Sequence, residues 1–231
     1  MEKNKFVDYC YPVLVLLLGI ALFLTALPRV RAALNHLPVT SAITELNKRK
    51  DLDLKKIDLL IATAQQSIAL SDEPRYWADL SRLLFFQAEK ANNLNFKRQS
   101  LKQARDSVEQ SLVRSPANSL LWFQLAKLDF LLNTVSDKTV KALNLSIMTG
   151  PYELSHLLPR LQLCLSAFSK FDPKDRFLLP PQILIAWQKA PKVFIREIAL
   201  KNGNMFKIRF LLHDKSPDDL AVMETEIEKT H

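Results

Sequence analysis

The feature that most constrains this chain is the run from Tyr9 to Pro28, YCYPVLVLLLGIALFLTALP, which holds no charged residue. Wound as a helix, those twenty residues reach about 30 Å, the thickness of a bilayer's hydrocarbon core. Pro12 is placed for the first turn, where its missing N–H costs nothing. Tyr9 and Tyr11 stand at one interface, and Arg29 and Arg31 close the other end. A cleaved signal peptide would need small residues three and one before the cut. Leu24-Thr25-Ala26 and Arg31-Ala32-Ala33 fit that rule poorly, so the expectation is an uncleaved, single-pass signal anchor. Lys3 and Lys5 precede the run as Arg29 and Arg31 follow it, so charge nearly ties. The short N-terminal tail favours a cytoplasmic amino end and an outward-facing body.

Glycine is scarce: Gly19, Gly150 and Gly203 are all there are, against an average usage of about 7%. No two are close enough for a GxGxxG turn or a GxxxxGK[ST] phosphate loop. Sheets with many tight turns would also want more. Twelve prolines instead punctuate stretches with helical periodicity, ending segments at Pro74, Pro116, Gly150-Pro151, Pro173, Pro180-Pro181, Pro191 and Pro217. Ile57, Leu60, Ile61, Ala64 and Ile68 form one amphipathic stripe. Further helices are expected over Tyr76–Ala91, Leu101–Val113, Ser119–Leu132, Val140–Met148, Leu154–Phe168 and Arg176–Trp187. Gly150 and Gly203 read as left-handed helix caps. The fold class is therefore all-α: one N-terminal transmembrane helix, then antiparallel helical hairpins. The expected organisation is a tail (1–8), the span (9–28), a linker (29–39), a helical domain opened by the cap Thr40-Ser41 (40–190) and a C-terminal extension (191–231).

A worn repeat of the tetratricopeptide kind runs through the body. Ala104, Val108, Ser111 and Pro116 have the spacing of its second helix, and Ala62, Gln66, Ala69 and Pro74 repeat those offsets. Trp122, Leu125 and Ala126 then open the next first helix; Leu80, Leu83 and Leu84 match more weakly. Small residues at these offsets would sit where paired helices cross. The two prolines are further apart than one repeat, which places extra residues around Asn92-Asn93.

The segments SLVRSPANSLLWFQLAKLDF, KALNLSIMTGPYEL and LPRLQLCL resemble the membrane-anchored, tetratricopeptide-like proteins of bacterial exopolysaccharide and O-antigen biosynthesis loci. The matching positions are Ser115, Pro116, Asn118, Trp122, Leu125, Ala126, Ser146, Thr149, Gly150, Pro151 and Glu153. The resemblance implies a TPR-like domain on a single anchor, in the bacterial inner membrane with its body in the periplasm, serving cell-surface polysaccharide biosynthesis or export. It carries over no catalytic residue.

The residues themselves point to binding and not to chemistry. His36, His156, His213 and His231 lack partners at metal-ligand spacing, Cys10 and Cys164 make no disulfide framework, and no GxSxG elbow exists. No catalytic, cofactor or metal site is expected. Repeat geometry places Leu120, Phe123, Lys127, Phe130 and, one unit earlier, Phe85 in a groove facing a partner protein, or else packed against later helices. The net charge of +8 concentrates in Lys189, Lys192, Arg196, Lys201, Lys207 and Arg209. These either meet anionic lipid or polysaccharide or pair with the acidic tail Asp218–Glu228; nucleic acid is not an expected partner. The chain reads as a scaffold within an envelope complex, the alternative being an anchored chaperone-like helper at the translocon or division site.

Overall fold

The computed structural model describes residues 3–48, 51–133, 135–201 and 203–229, with side chains from residue 11 onward. Expectations resting on the side chains of Lys3, Lys5, Tyr9 and Cys10 lie outside those described. Among the described residues there is helix and no strand.

Helix α1 runs unbroken from Lys3 to Asn47. The linker expected over 29–39, and the fresh start expected at Thr40-Ser41, are both helix interior. Pro12, Pro28 and Pro38 all lie inside α1. Each removes one backbone donor and clashes with the preceding turn, a cost of about 3 kcal/mol in a helix interior. Packing overrides that cost in the last third. Ala32, His36, Val39, Ala42, Ile43 and Leu46 are buried, and their three- and four-residue spacing is one helix face. From Tyr11 to Arg31 nearly every residue is exposed, and this part of α1 is long and apolar enough to cross a membrane.

The chain divides into two compact units, Met1–Ser107 and Val108–His231. In the first, α2 (Leu54–Leu70) and α3 (Pro74–Lys90) pack on the end of α1. Proline opens α3 at its first turn. Ile57, Leu60, Ile61 and Ala64 are buried as their stripe predicts, whereas Ala62, Gln66 and Ala69 are exposed. The repeat-like register in α2 is therefore not a helix crossing; Ala64 and Ser67, both fully covered, take that place. Polar ties set the vertical register. Lys56 meets Glu45 at 3.9 Å, Gln87 donates to Asp58 at 2.7 Å, and Lys90 pairs with Asp51. His36 Nε2 lies 3.0 Å from Asp79, and its ring rests on Tyr76 at 4.2 Å.

Helix α4 (Leu94–Arg114) crosses from one unit into the next. Asn93 caps it by accepting from the N–H groups of Asn95 and Phe96. The surplus over one repeat length lies in the length of this helix, since only Ala91–Asn93 separate it from α3.

The second unit opens with the hairpin α5 (Ser119–Asn133) and α6 (Asp137–Thr149). Helix α5 is apolar nearly all round, and Leu121, Leu125, Ala126 and Leu128 are buried. Ser136 and Thr139 form a reciprocal capping box at the start of α6. Then come α7 (Leu157–Ser166), α8 (Leu179–Lys189), the short α9 (Pro191–Phe194) with a π-turn over Ile195–Ala199, α10 (Asn204–Leu212) and α11 (Pro217–Glu228). Gly203 precedes α10 at φ +66°, the left-handed geometry expected of it.

Candidate functional site

Residues singled out between Ser115 and Glu153 in the sequence converge in the second unit, where the end of α6 meets the start of α5. Trp122 donates its indole N–H to the Pro116 carbonyl at 2.7 Å, pinning the loop before α5. Asn118 accepts from the N–H of Leu121 at 3.2 Å and caps that helix. Ser146 donates to the Ser119 carbonyl at 2.8 Å, tying α6 to α5.

Gly150 ends α6 for a reason other than handedness. Its φ of −157° is extended, not left-handed as expected. Glycine is required by close approach: a Cβ there would stand 2.6 Å from Ser119 Cβ and 2.9 Å from Glu153 Cγ.

Beneath this crossing lies Arg160, 1% exposed. Its Nη1 donates to the carbonyls of Ser146 (2.9 Å) and Gly150 (3.0 Å). Nη2 donates to Gln182, whose amide in turn donates to the Pro151 carbonyl at 2.9 Å. The last carbonyls of α6 run short of backbone donors, although Ser146 also accepts from the Gly150 N–H at 3.2 Å, and the helix dipole makes that end negative. A planar guanidinium answers both needs at once. Burial pulls the Arg160 pKa below the ordinary arginine value, yet an arginine stays charged.

His156 completes the network. Its Nε2 is 3.1 Å from Ser119 Oγ and its Nδ1 is 3.1 Å from Ser155 Oγ; Phe123 stacks on the ring at 5.7 Å. Burial first, then the Arg160 charge, push its pKa down. The ring is therefore neutral at pH 7. With the Arg160 donor only 3.5 Å from Nε2, that nitrogen takes the acceptor role and Nδ1–H faces Ser155. The Ser119–His156 pair joins the start of α5 to the segment after α6. Both residues border a cleft of about 430 Å³ above them, lined also by Ser115, Asn118, Thr149, Glu153 and Ser155 among others.

A second cleft, of about 500 Å³, gathers Asp137, Asp172 and Asp175 with Lys141, Lys170 and Lys174. Asp172 accepts from the Lys174 N–H at 3.0 Å, which holds its carboxyl below the usual range. Asp175 accepts from Asn144 at 2.8 Å. Among the described residues no group of three or more His, Cys, Asp or Glu is placed to hold a metal ion.

Of the residues expected in the groove, Phe123 is buried against His156. Leu120 and Phe130 are half-buried and Lys127 is exposed. Phe85, half-buried on α3, belongs to the other unit. The basic stretch is largely engaged within the chain. Arg196 and Lys201 both pair with Glu197 at 2.8 and 2.6 Å. Arg209 pairs with Glu224 of the acidic tail. Lys207 donates to the Leu165 carbonyl at 2.8 Å, capping α7. Lys189 and Lys192 remain exposed.

Sequence reasoning missed Arg160 and Gln182 as partners. The available signal was an arginine within the otherwise apolar LPRLQLCL, since a buried cation demands a matched set of acceptors. Comparison with protein-family models, with curated proteins and with solved structures returns no match to this chain.

Proposed function

We propose that this protein is a non-enzymatic, single-pass inner-membrane scaffold of bacterial cell-surface polysaccharide biosynthesis or export, with its helical body in the periplasm. The observation that supports the reading most is the continuity of α1. A stretch apolar and long enough to cross a bilayer becomes, without a break, a packed helix of the first unit. Anchor and body are one element, which suits a protein that holds partners at a membrane. The polar residues at the α5–α6 crossing are spent on holding helices together, as a rigid binding surface requires. Exposed apolar side chains next to that crossing, Met148, Tyr152 and Leu154, offer contact area to a protein partner.

Affinity purification of the full chain from detergent-solubilised membranes tests the reading. Co-purification of polysaccharide polymerisation or export proteins, with reduced surface polysaccharide in a deletion strain, is the expected outcome. Recovery of only division or translocon proteins, with normal polysaccharide, would overturn it.

A further inference from the structure

The vertical register of the first unit fixes its height above the end of the apolar run. Helix α2 runs antiparallel to α1, with Lys56 level with Glu45. Counting fourteen residues down α2 from Lys56 reaches Leu70; counting fourteen back along α1 from Glu45 reaches Arg31. Both descend about 21 Å. Helix α3 returns alongside α2, with Gln87 at Asp58 and Lys90 at Asp51, and so runs parallel to α1. Its own contact with α1 gives an independent check. His36 sits against Tyr76 and Asp79, which puts Pro74 level with roughly Ala33. Two separate registers thus bring the α2–α3 turn to the same height.

That height is about 5 Å past Pro28, the last residue of the uncharged run. The polar layer of a bilayer extends about 5–7 Å beyond its hydrocarbon on each side. The exposed residues at this level suit that zone. Val30 and Leu70, 54% and 42% exposed, present apolar surface, while Arg29, Arg31, Asp72, Glu73 and Arg75 surround them with charges of both signs.

We propose that the α2–α3 turn, Leu70 to Arg75, rests in the lipid headgroup layer beside α1, so that the first unit stands directly on the bilayer surface. This rests on the reading of α1 as a membrane span. The mixed charges make the contact one of geometry and apolar burial, so it forms on zwitterionic and anionic lipid alike. The packed part of α1, Ala32 to Asn47, rises only about 24 Å. A protein bound to the first unit must therefore itself lie close to the membrane.

Depth measurements on the full chain in phosphatidylcholine vesicles test this. Nitroxide labels are placed singly at Leu17→Cys, Leu70→Cys and Leu59→Cys in a Cys10→Ser background; all three native side chains are exposed. Each is probed by collision with oxygen and with a water-soluble nickel chelate. The label at 17 should lie in hydrocarbon and the label at 59, about 16 Å higher along the bundle than that at 70, in water. The label at 70 should sit at the interface, with nickel relaxation severalfold below that at 59 and unchanged when phosphatidylglycerol is added. A label at 70 as water-exposed as that at 59, with 17 deep in lipid, would overturn the docked turn and leave the span standing. A label at 17 in water would overturn both.

Discussion

Arg160 is the residue on which the second unit most depends. It gathers the terminal carbonyls of α6 and the Gln182 amide in a space closed to water. Arg160→Met keeps the bulk of the side chain but takes the donor from Gln182 Oε1 and the charge-assisted second donor from the Ser146 and Gly150 carbonyls, which keep the N–H groups of Gly150 and Glu153. An unsatisfied buried acceptor costs about 1–3 kcal/mol, so denaturant unfolding should show a loss in that range; Arg160→Lys should restore only part, because an ammonium lacks the planar fork. Gly150→Ala tests the close approach. The added methyl meets Ser119 Cβ, and overpacking of this kind costs about 1–3 kcal/mol. Combined with Ser119→Gly, which removes that Cβ, the double variant should lose less than the sum of the single losses. His156 supplies a pH test. Its folded pKa lies below the ordinary 6.5, so the unfolded chain binds the proton more readily. Stability from this group is complete above about pH 6.5 and declines as pH falls through that value. Between pH 7.5 and 5, wild type should lose more stability than His156→Gln; equal losses would contradict the assignment.

At the scale of elements, α1 shows what pattern reading reaches and where it stops. Its apolar run is plain from Tyr9 to Pro28, because length and absence of charge are local properties. Its true end is not, because Arg29 and Arg31 read as the close of the span and Thr40-Ser41 as the cap of a new helix. The spacing of Ala32, His36, Val39, Ile43 and Leu46 crosses the expected linker, and only tertiary packing on α2 and α3 turns it into a reason to stay helical. Helix α2 fails differently. Two faces competed there, one of small residues at repeat offsets and one of larger apolar residues, and burial chose the latter. Helices α5 and α6 were read to within a few residues, since caps and prolines bound them locally. What holds them together was half legible: Ser146, Gly150 and Glu153 were singled out, while Arg160 and Gln182 act through contacts between helices that spacing does not encode. The join between α1 and α3 is itself testable. His36→Ala leaves Asp79 buried without its closest partner and should cost about 1–3 kcal/mol, measured as a lower midpoint for unfolding of the first unit.

For the whole molecule, the account rests on a chain that keeps its first helix. On the proposed reading, a span that continues without a break into a packed helix resists processing, since a cut near Ala33 would fall between Ala32 and His36, where α1 is already helical and buried against the first unit. Alkaline carbonate extraction of membranes from cells making the full chain, followed by intact-mass measurement, tests this most directly. The account predicts the full 26.5 kDa chain in the membrane pellet. A chain shortened at its N-terminus and released to the supernatant would contradict it.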